Sequence, residues 1–494
     1  MNELKDKTIL FVSPELKTFK SRAGGLGQVA EELVKMLSEL GIKVICGSCL
    51  YKYIVIDSYK KEIDFSDLDL KEVGNIDVDI DKKYPTKIFK TEKYGAEFIF
   101  LFNDELTEAL YMGDLLKFSI FFAKGMLEAL RMLRIKPDII HLNDALTGLI
   151  PIYAKNDPLY TEFSKLKFVF TIHNAGSAYQ QIHSIERKNL LNLHDFSLER
   201  LIWNGNINLL YAGVENSDIV NTVSEDYAVS LRVEGEGMKD VFVRKNVFGI
   251  LNGIDEEYWR SNTYKNATIN NISDLKLQEK ERLIKEIKAR TGKMLDVNRM
   301  IVIMPRRLSG QKGFDTIIPL IEEFHNKYGI QFVVLGVAHP NDNIGQEWAR
   351  RFFDLHKRLE GFVFIYSFDE ELAKMMYAGA DLLLYPSLPN KEPCGTGYMM
   401  SMVNATPCLG TRTGGLAEVI KEFDEILETG NGFLVWKEEY STEAFRRKME
   451  KAIRIYGNKD KWKKLMWNSF TTDVDMKNVA KEYISKVYLQ ALKM

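Results

Sequence analysis

Three residues in the second half of the chain have the types and spacing to handle a charged leaving group. Arg307 and Lys312 stand five apart in the loop PRRLSGQKG, residues 305–313. Glu392 stands in YPSLPNKEPCGTGYMM, residues 385–400. A guanidinium and an ammonium beside one helix start can neutralise a diphosphate as it departs. Gly395 and Gly397 precede a helix-like run at 398–403. A glycine-rich turn from strand to helix leaves backbone N–H groups open to an anion. The carboxylate beside it does not favour that anion, so its natural partners are hydroxyls. Carboxylate for a sugar and helix start for a phosphate together point to a nucleotide-sugar site. An ordinary strand-to-helix turn with a surface glutamate and two solvated basic residues spells the same letters. Motifs elsewhere have to separate these readings.

The first half supplies partners. An apolar strand at 8–12 leads into SRAGGLG, residues 21–27, then a helix at 28–40 with Val29, Leu33, Met36, Leu37 and Leu40 on one face. Gly41 closes it, and a strand at 43–46 follows. This is a βαβ unit whose first turn suits an anion, but the spacing is not G-x-G-x-x-G, so no dinucleotide site is assigned. Strands at 138–141, 167–172 and 218–223 end in His141-Leu-Asn-Asp144, His173-Asn174 and Ser224. In open parallel sheets ligands bind at that carboxyl edge. For His173 alone, a satisfied structural histidine and a catalytic one are both open. The seven histidines show neither H-E-x-x-H nor another metal spacing.

Two further patterns have simpler readings. In Ile76-Asp-Val-Asp-Ile80 a D-x-D metal site competes with a half-buried strand whose acids face water. The strand is favoured, because no glycine-rich phosphate turn adjoins it. Cys46 and Cys49 form C-x-x-C, read as a strand end and the loop after it rather than a redox pair.

The elements that must position these residues come in two series. A second alternation of strands and helices begins at about residue 300, with strands at 300–304, 331–335, 362–366, 382–385 and 432–435. Two such series predict two Rossmann-like domains with a cleft between them, joined around 252–262. At 494 residues the chain is too long for one ordinary core. A net charge of −2 gives no bulk reason for nucleic acid or anionic membrane as partner. No apolar stretch is long enough to span a bilayer, and the N-terminal MNELKDK runs straight into a strand without a signal-peptide pattern. Four cysteines do not make a disulfide framework, which fits a reducing cytoplasm.

Eight motifs, in order, resemble those of bacterial glycogen synthases and plant starch synthases, glycosyltransferase family five. They are residues 21–27, 141–144, 171–174, 222–227, 249–259, 307–315, 386–395 and 412–419. The resemblance spans residues 8 to about 490. It implies the GT-B fold, two Rossmann-like domains facing each other across a deep cleft. The N-terminal domain is expected at 1–250 on the acceptor side and the donor-binding domain at 251–475. A last helix, 476–494, is expected to cross back to the first domain. The implied reaction moves glucose from ADP-glucose or UDP-glucose to the non-reducing end of an α-1,4-glucan, with retention, no cofactor and no metal.

The resemblance also implies site roles. Glu392 contacts the donor glucose, and Arg307, Lys312 and the Gly395 helix start offset the leaving diphosphate. The His173 carbonyl faces the sugar, and its side chain holds a sugar hydroxyl. Asp144 lies near the acceptor end. Arg22, Gly24, Gly25, Asn252, Cys394, Gly395 and Thr396 bind substrate. The chain departs from the family pattern at Arg22 (for Lys), Gln28 (for Asp), Ala145 (for Trp), the longer link at 175–178 and Thr396-Gly397 (for Leu-Thr). Two other readings stay open: a GT-B hexosyltransferase with another acceptor, and a glucan-binding protein without catalysis.

Overall fold

The computed structural model describes residues 4–21, 24–56, 59–339 and 341–494. Arg22 lies outside the described residues. The chain forms two units, one of residues 1–251 with 476–494 and the other of residues 252–475.

Alternation along the strands builds the first unit. In β1 (Thr8–Val12), Leu10 and Val12 join one buried apolar cluster while Ile9 and Phe11 join another. A strand apolar on both faces belongs inside a parallel sheet covered on both sides. The other strands of its nine-stranded sheet are β2 (Lys43–Cys49), β3 (Lys71–Asp79), β4 (Lys83–Lys93), β5 (Ala96–Phe102), β6 (Ile139–Asn143), β7 (Lys167–Ile172), β8 (Ile219–Thr222) and β9 (Phe248–Gly249). The sheet order is β9-β8-β7-β6-β1-β2-β5-β4-β3. It is parallel from β9 to β5, and β4 and β3 add an antiparallel edge. Helix α1 (Leu26–Glu39) begins two residues before the predicted start, so Gly25 becomes its N-cap.

Strand β2 runs through Cys49, which corrects the loop expected there. Cys46 and Cys49 are free and buried in different clusters. Residues three apart in a strand face opposite ways, so this C-x-x-C cannot close a disulfide. Along β3, Ile76 and Val78 turn inward while Asp77 and Asp79 are exposed. That is the half-buried strand with its acids in water.

The C-terminal segment packs in the first unit, but not as one α-helix. An α-helix (Met476–Glu482) passes into a π-helical turn (Tyr483–Tyr488) before a last helical turn (Leu489–Lys493). The wider turn brings Tyr483 and Tyr488, five apart, onto the same buried network. The Tyr488 hydroxyl pairs with His141 Nδ1 at 2.8 Å, and His141 Nε2 with Thr171 Oγ1 at 2.7 Å. Thr171 donates to Asn221 Oδ1, and the Asn221 amide donates to the Tyr483 hydroxyl. Because the Thr171 proton goes to Asn221, His141 donates from Nε2 and accepts at Nδ1. Each bond is worth about 0.5–1.5 kcal/mol net, and a lost partner strands a buried group at about 1–3 kcal/mol. The network ties the terminal segment to β6, β7 and β8.

The second unit is a six-stranded parallel sheet of β10 (Ile301–Pro305), β11 (Gln331–Leu335), β12 (Phe362–Ile365), β13 (Leu382–Tyr385), β14 (Cys408–Thr411) and β15 (Gly432–Val435). Its order is β12-β11-β10-β13-β14-β15, the doubly wound arrangement. Helix α2 (Ile272–Thr291) ends at Gly292 in the left-handed conformation. Among the described residues no helix is long and apolar enough to cross a membrane.

Candidate active site

In the second unit the strand order reverses between β10 and β13, and the loops leaving those two strands carry the predicted residues. A crevice at such a reversal is where doubly wound sheets bind ligands. Three donors converge there on one carboxylate oxygen. Glu392 Oε2 accepts from Lys312 Nζ at 2.7 Å, Arg306 Nη2 at 2.8 Å and Ser387 Oγ at 2.8 Å. This leaves Oε1 to meet a further donor. The side chains are 6% exposed for Arg306, 11% for Lys312 and 7% for Glu392. The Arg306 guanidinium carbon sits over the Tyr385 ring, 3.6 Å from its centre.

Glycines let the loops close this tightly. Gly313 has φ +66°, and a Cβ there would stand 1.9 Å from the Pro386 carbonyl oxygen. Gly414 has φ +52°, and its Cβ would stand 2.0 Å from the Glu392 carbonyl oxygen. Any side chain at either position would push Lys312 or Glu392 out of register.

Electrostatics follow from the packing. Burial pushes the Glu392 carboxyl up, but Lys312 and Arg306 outweigh it and hold the group at about 2. Burial pulls the Lys312 ammonium down to about 8; Glu392 offsets part of this, while Arg306 and Arg307 add to it. Glu392 is therefore a fixed anion, and the cluster as a whole is positive.

The sequence assigns the leaving-group charge to Arg307 and Lys312 together. Lys312 lies in the buried cluster with Arg306, while Arg307 is exposed on the same loop, close enough to act on Lys312. Strand β10 ends at Pro305, and the direction in which the chain leaves it decides which of two adjacent arginines turns inward. No letter in the sequence records that direction. Cys394 is buried, which raises its thiol pKa, and it lies against the Asn252 backbone, so these two predicted residues are brought together. Gly395 has φ +73° and Thr396 is the N-cap of a helix (Gly397–Met402) of only six residues. So short a helix adds little dipole to the turn.

In the first unit, β1 and β6 are neighbours at the corresponding reversal, and the loops after them and after the adjacent β7 hold a second cluster. Asp144 has φ +59° and ψ 173°, a region that costs a non-glycine residue about 1–3 kcal/mol. Its Oδ1 accepts the His173 N–H at 2.7 Å, and its own N–H donates to the Thr171 carbonyl at 3.1 Å. Burial raises the Asp144 carboxyl to about 7, against the pull of the His173 and Asn174 N–H groups. The Asn143 amide nitrogen donates to the Val12 carbonyl, which turns its oxygen toward His173 Nε2 at 2.9 Å. His173 therefore carries its proton on Nε2 and presents Nδ1 as an acceptor. Burial lowers its pKa to about 3, so it works as a neutral hydrogen-bonding group.

Residue type alone does not reveal Glu15. It is buried, and its carboxylate accepts the Gly24 N–H at 3.0 Å and the Tyr111 hydroxyl at 2.6 Å. One N–H of the glycine-rich loop thus meets a carboxylate in this structure. Gly25 is exposed at the helix start with open space around it. Among the described residues, no group of three His, Cys, Asp or Glu is placed to hold a metal ion.

Comparison with known proteins bears on this geometry. Residues 8–244 match the family described as starch synthase catalytic domain, and residues 285–465 match glycosyl transferases group 1. The chain is 33% identical to the glycogen synthase of Thermotoga maritima, over 98% of this chain and 99% of that one. It is 32% identical to the glycogen synthase of Mycoplasma mobile, over 97% and 99%. Its fold is similar to a solved catalytic domain of Starch Synthase IV from Arabidopsis thaliana, with a TM-score of 0.85, 24% identity and 99% of both chains covered. The fold class is thus α/β of the GT-B type, and the expected family is borne out. The chain belongs to the glycogen synthase and starch synthase family of glycosyltransferases.

Proposed function

We propose that the chain transfers glucose from ADP-glucose or UDP-glucose to the 4-hydroxyl at the non-reducing end of an α-1,4-glucan, with retention of configuration. The observation that carries this is the buried carboxylate of Glu392, held at one oxygen by two cations at the reversal of the second sheet. Glu392 Oε1 accepts a hydroxyl of the donor glucose. Lys312, with Arg307 on the same loop, meets the negative charge that grows on the leaving diphosphate. Gly395 and Thr396 bring backbone N–H groups to the phosphates, and Cys394 and Asn252 support that turn. His173 holds a sugar hydroxyl through Nδ1, its carbonyl faces the developing positive charge on the sugar, and Asp144 fixes its backbone near the acceptor. Arg22, Gly24 and Gly25 take part in donor binding from the glycine-rich loop.

Supporting the donor assignment, the related Arabidopsis domain was solved bound to ADP and acarbose. No metal enters the proposed reaction, because cations of the chain itself stand where the diphosphate charge develops. Four free cysteines suit a cytoplasmic setting. The test is incubation with each labelled nucleotide sugar, with and without glycogen. Label entering the polymer supports the proposal. Donor hydrolysis alone, or label on another acceptor only, rejects it.

A further inference from the structure

Arg306 does more than fill space in the second unit. Its side chain is 6% exposed and stacked on Tyr385, and Nη2 is shared between Ser387 Oγ at 3.0 Å and Glu392 Oε2 at 2.8 Å. Two more of its donor nitrogens, Nε and Nη1, are buried with no hydrogen-bond partner. A guanidinium kept out of water with two donors unmet is poorly explained by stability, since even well-paired buried ions contribute little of it. What Arg306 does is explained by its neighbours. Glu392 has two cations on one oxygen where one would neutralise it, and the two differ in kind. Lys312 is a point charge on a flexible stem, whereas Arg306 is a rigid plane fixed against an aromatic ring.

We propose that Arg306 is a positioning residue that keeps Glu392 in place and charge-balanced, so that Lys312 can leave the carboxylate for the diphosphate of the donor. The inference rests on reading this cluster as the donor site. Without Arg306, moving Lys312 away would leave a buried carboxylate with no cation, a strongly unfavourable state. With Arg306 in place, Nη2 and the Ser387 hydroxyl remain on Oε2 and Oε1 stays directed to the sugar. The charged groups facing Lys312 are Glu392 after β13, and Arg306 and Arg307 on its own loop. Tyr385, Cys408 and Tyr440 act on Glu392 or Arg306 from β13, from β14 and from the segment after β15. Burial raises the pKa of all three, which keeps them neutral.

Two opposite effects follow from removing the Arg306 charge. Lys312 loses a repelling neighbour, so its deprotonation moves to higher pH. Donor binding nevertheless weakens, because Lys312 is then the one cation holding Glu392. Loss of packing alone would not be rescued by Arg306→Lys, which restores the charge but not the stacked plane.

The experiment is calorimetric titration of ADP and UDP into wild type, Arg306→Gln and Arg306→Lys between about pH 6.5 and pH 9.5, with donor kcat/KM measured in parallel. Arg306→Gln should bind nucleotide about 10- to 100-fold more weakly, the range for one charge-assisted hydrogen bond, with its alkaline midpoint shifted upward. Arg306→Lys should keep the wild-type midpoint and show intermediate affinity. Wild-type affinity in Arg306→Gln, or weaker binding with an unmoved midpoint, would overturn the proposal. If Arg306→Gln does not fold, Arg306→Lys decides: full wild-type affinity there overturns it as well. Wild type binding neither nucleotide defeats the donor-site reading itself, a result separate from one in which wild type and both variants bind alike.

Discussion

Lys312 and Glu392 meet at 2.7 Å on a carboxylate oxygen that also takes Arg306 and Ser387. The pair joins the loop after β10 to the loop after β13, the two strands between which the sheet order reverses. On the proposed roles, catalysis and stability are coupled at this point, and substitutions here are expected to show in both.

Glu392→Gln keeps the volume and removes the charge. Its kcat should fall roughly 10²–10³-fold, equivalent to about 2.7–4 kcal/mol at the transition state. Lys312→Ala should cost a similar factor. Glu392→Gln should also melt lower, since stranding buried cations without their counter-charge costs about 3–5 kcal/mol. Steady-state kinetics and a melting curve check both, and near-normal turnover in either variant would contradict the assigned roles.

Lys312 titrates at about 8 rather than its ordinary 10.5, because burial outweighs Glu392. A lysine with a lowered pKa loses its charge as pH rises through that value. Donor kcat/KM should therefore decline above about pH 8 in free enzyme. Lys312→Arg, which stays charged, should lack that decline even if its rate is lower. A pH profile that is flat to pH 9.5, within about one unit of the ordinary lysine value, would count against Lys312 acting as the phosphate cation.

Asp144 gives a stability signature of opposite sign to an ordinary carboxylate. Its folded pKa of about 7 lies above the ordinary 3.8, so the folded state keeps a proton that the unfolded chain has lost. This contribution is present at low pH and disappears as pH rises through about 7. Asp144→Asn should melt higher than wild type at pH 8, by an amount that shrinks toward about pH 4, while activity drops. Equal melting temperatures at both pH values would show that the carboxyl is not held protonated.

Activity should survive excess chelator, because in the proposed reaction the charge on the departing diphosphate is met by Lys312 and Arg307. Transfer abolished by EDTA and restored by manganese or magnesium would overturn that assignment.

Most strands of both sheets were legible in the sequence as apolar runs bounded by glycines and polar loop residues, but β14 (Cys408–Thr411) was not among those expected. Glu392 and Lys312 were legible too, since each sits in a glycine-marked turn. That Arg306, beside Arg307, turns into the cluster was not, because it depends on the backbone leaving β10. Glu15 was missed because its partner Tyr111 is 96 residues away and neither stands in a recognisable pattern. The π-helical turn was missed because residues 476–494 read as one helix, whereas two hydrogen bonds from Tyr488 and Tyr483 to His141 and Asn221 favour the wider turn.

The central claim is retaining glucosyl transfer to a glucan end, and the most direct measurement is proton NMR of the product. A short maltooligosaccharide is incubated with ADP-glucose or UDP-glucose and the purified chain. The account predicts elongation one glucose at a time, with each new anomeric signal that of an α-1,4 linkage. A β-linked product, or no elongation from either donor while the protein is folded, would contradict it.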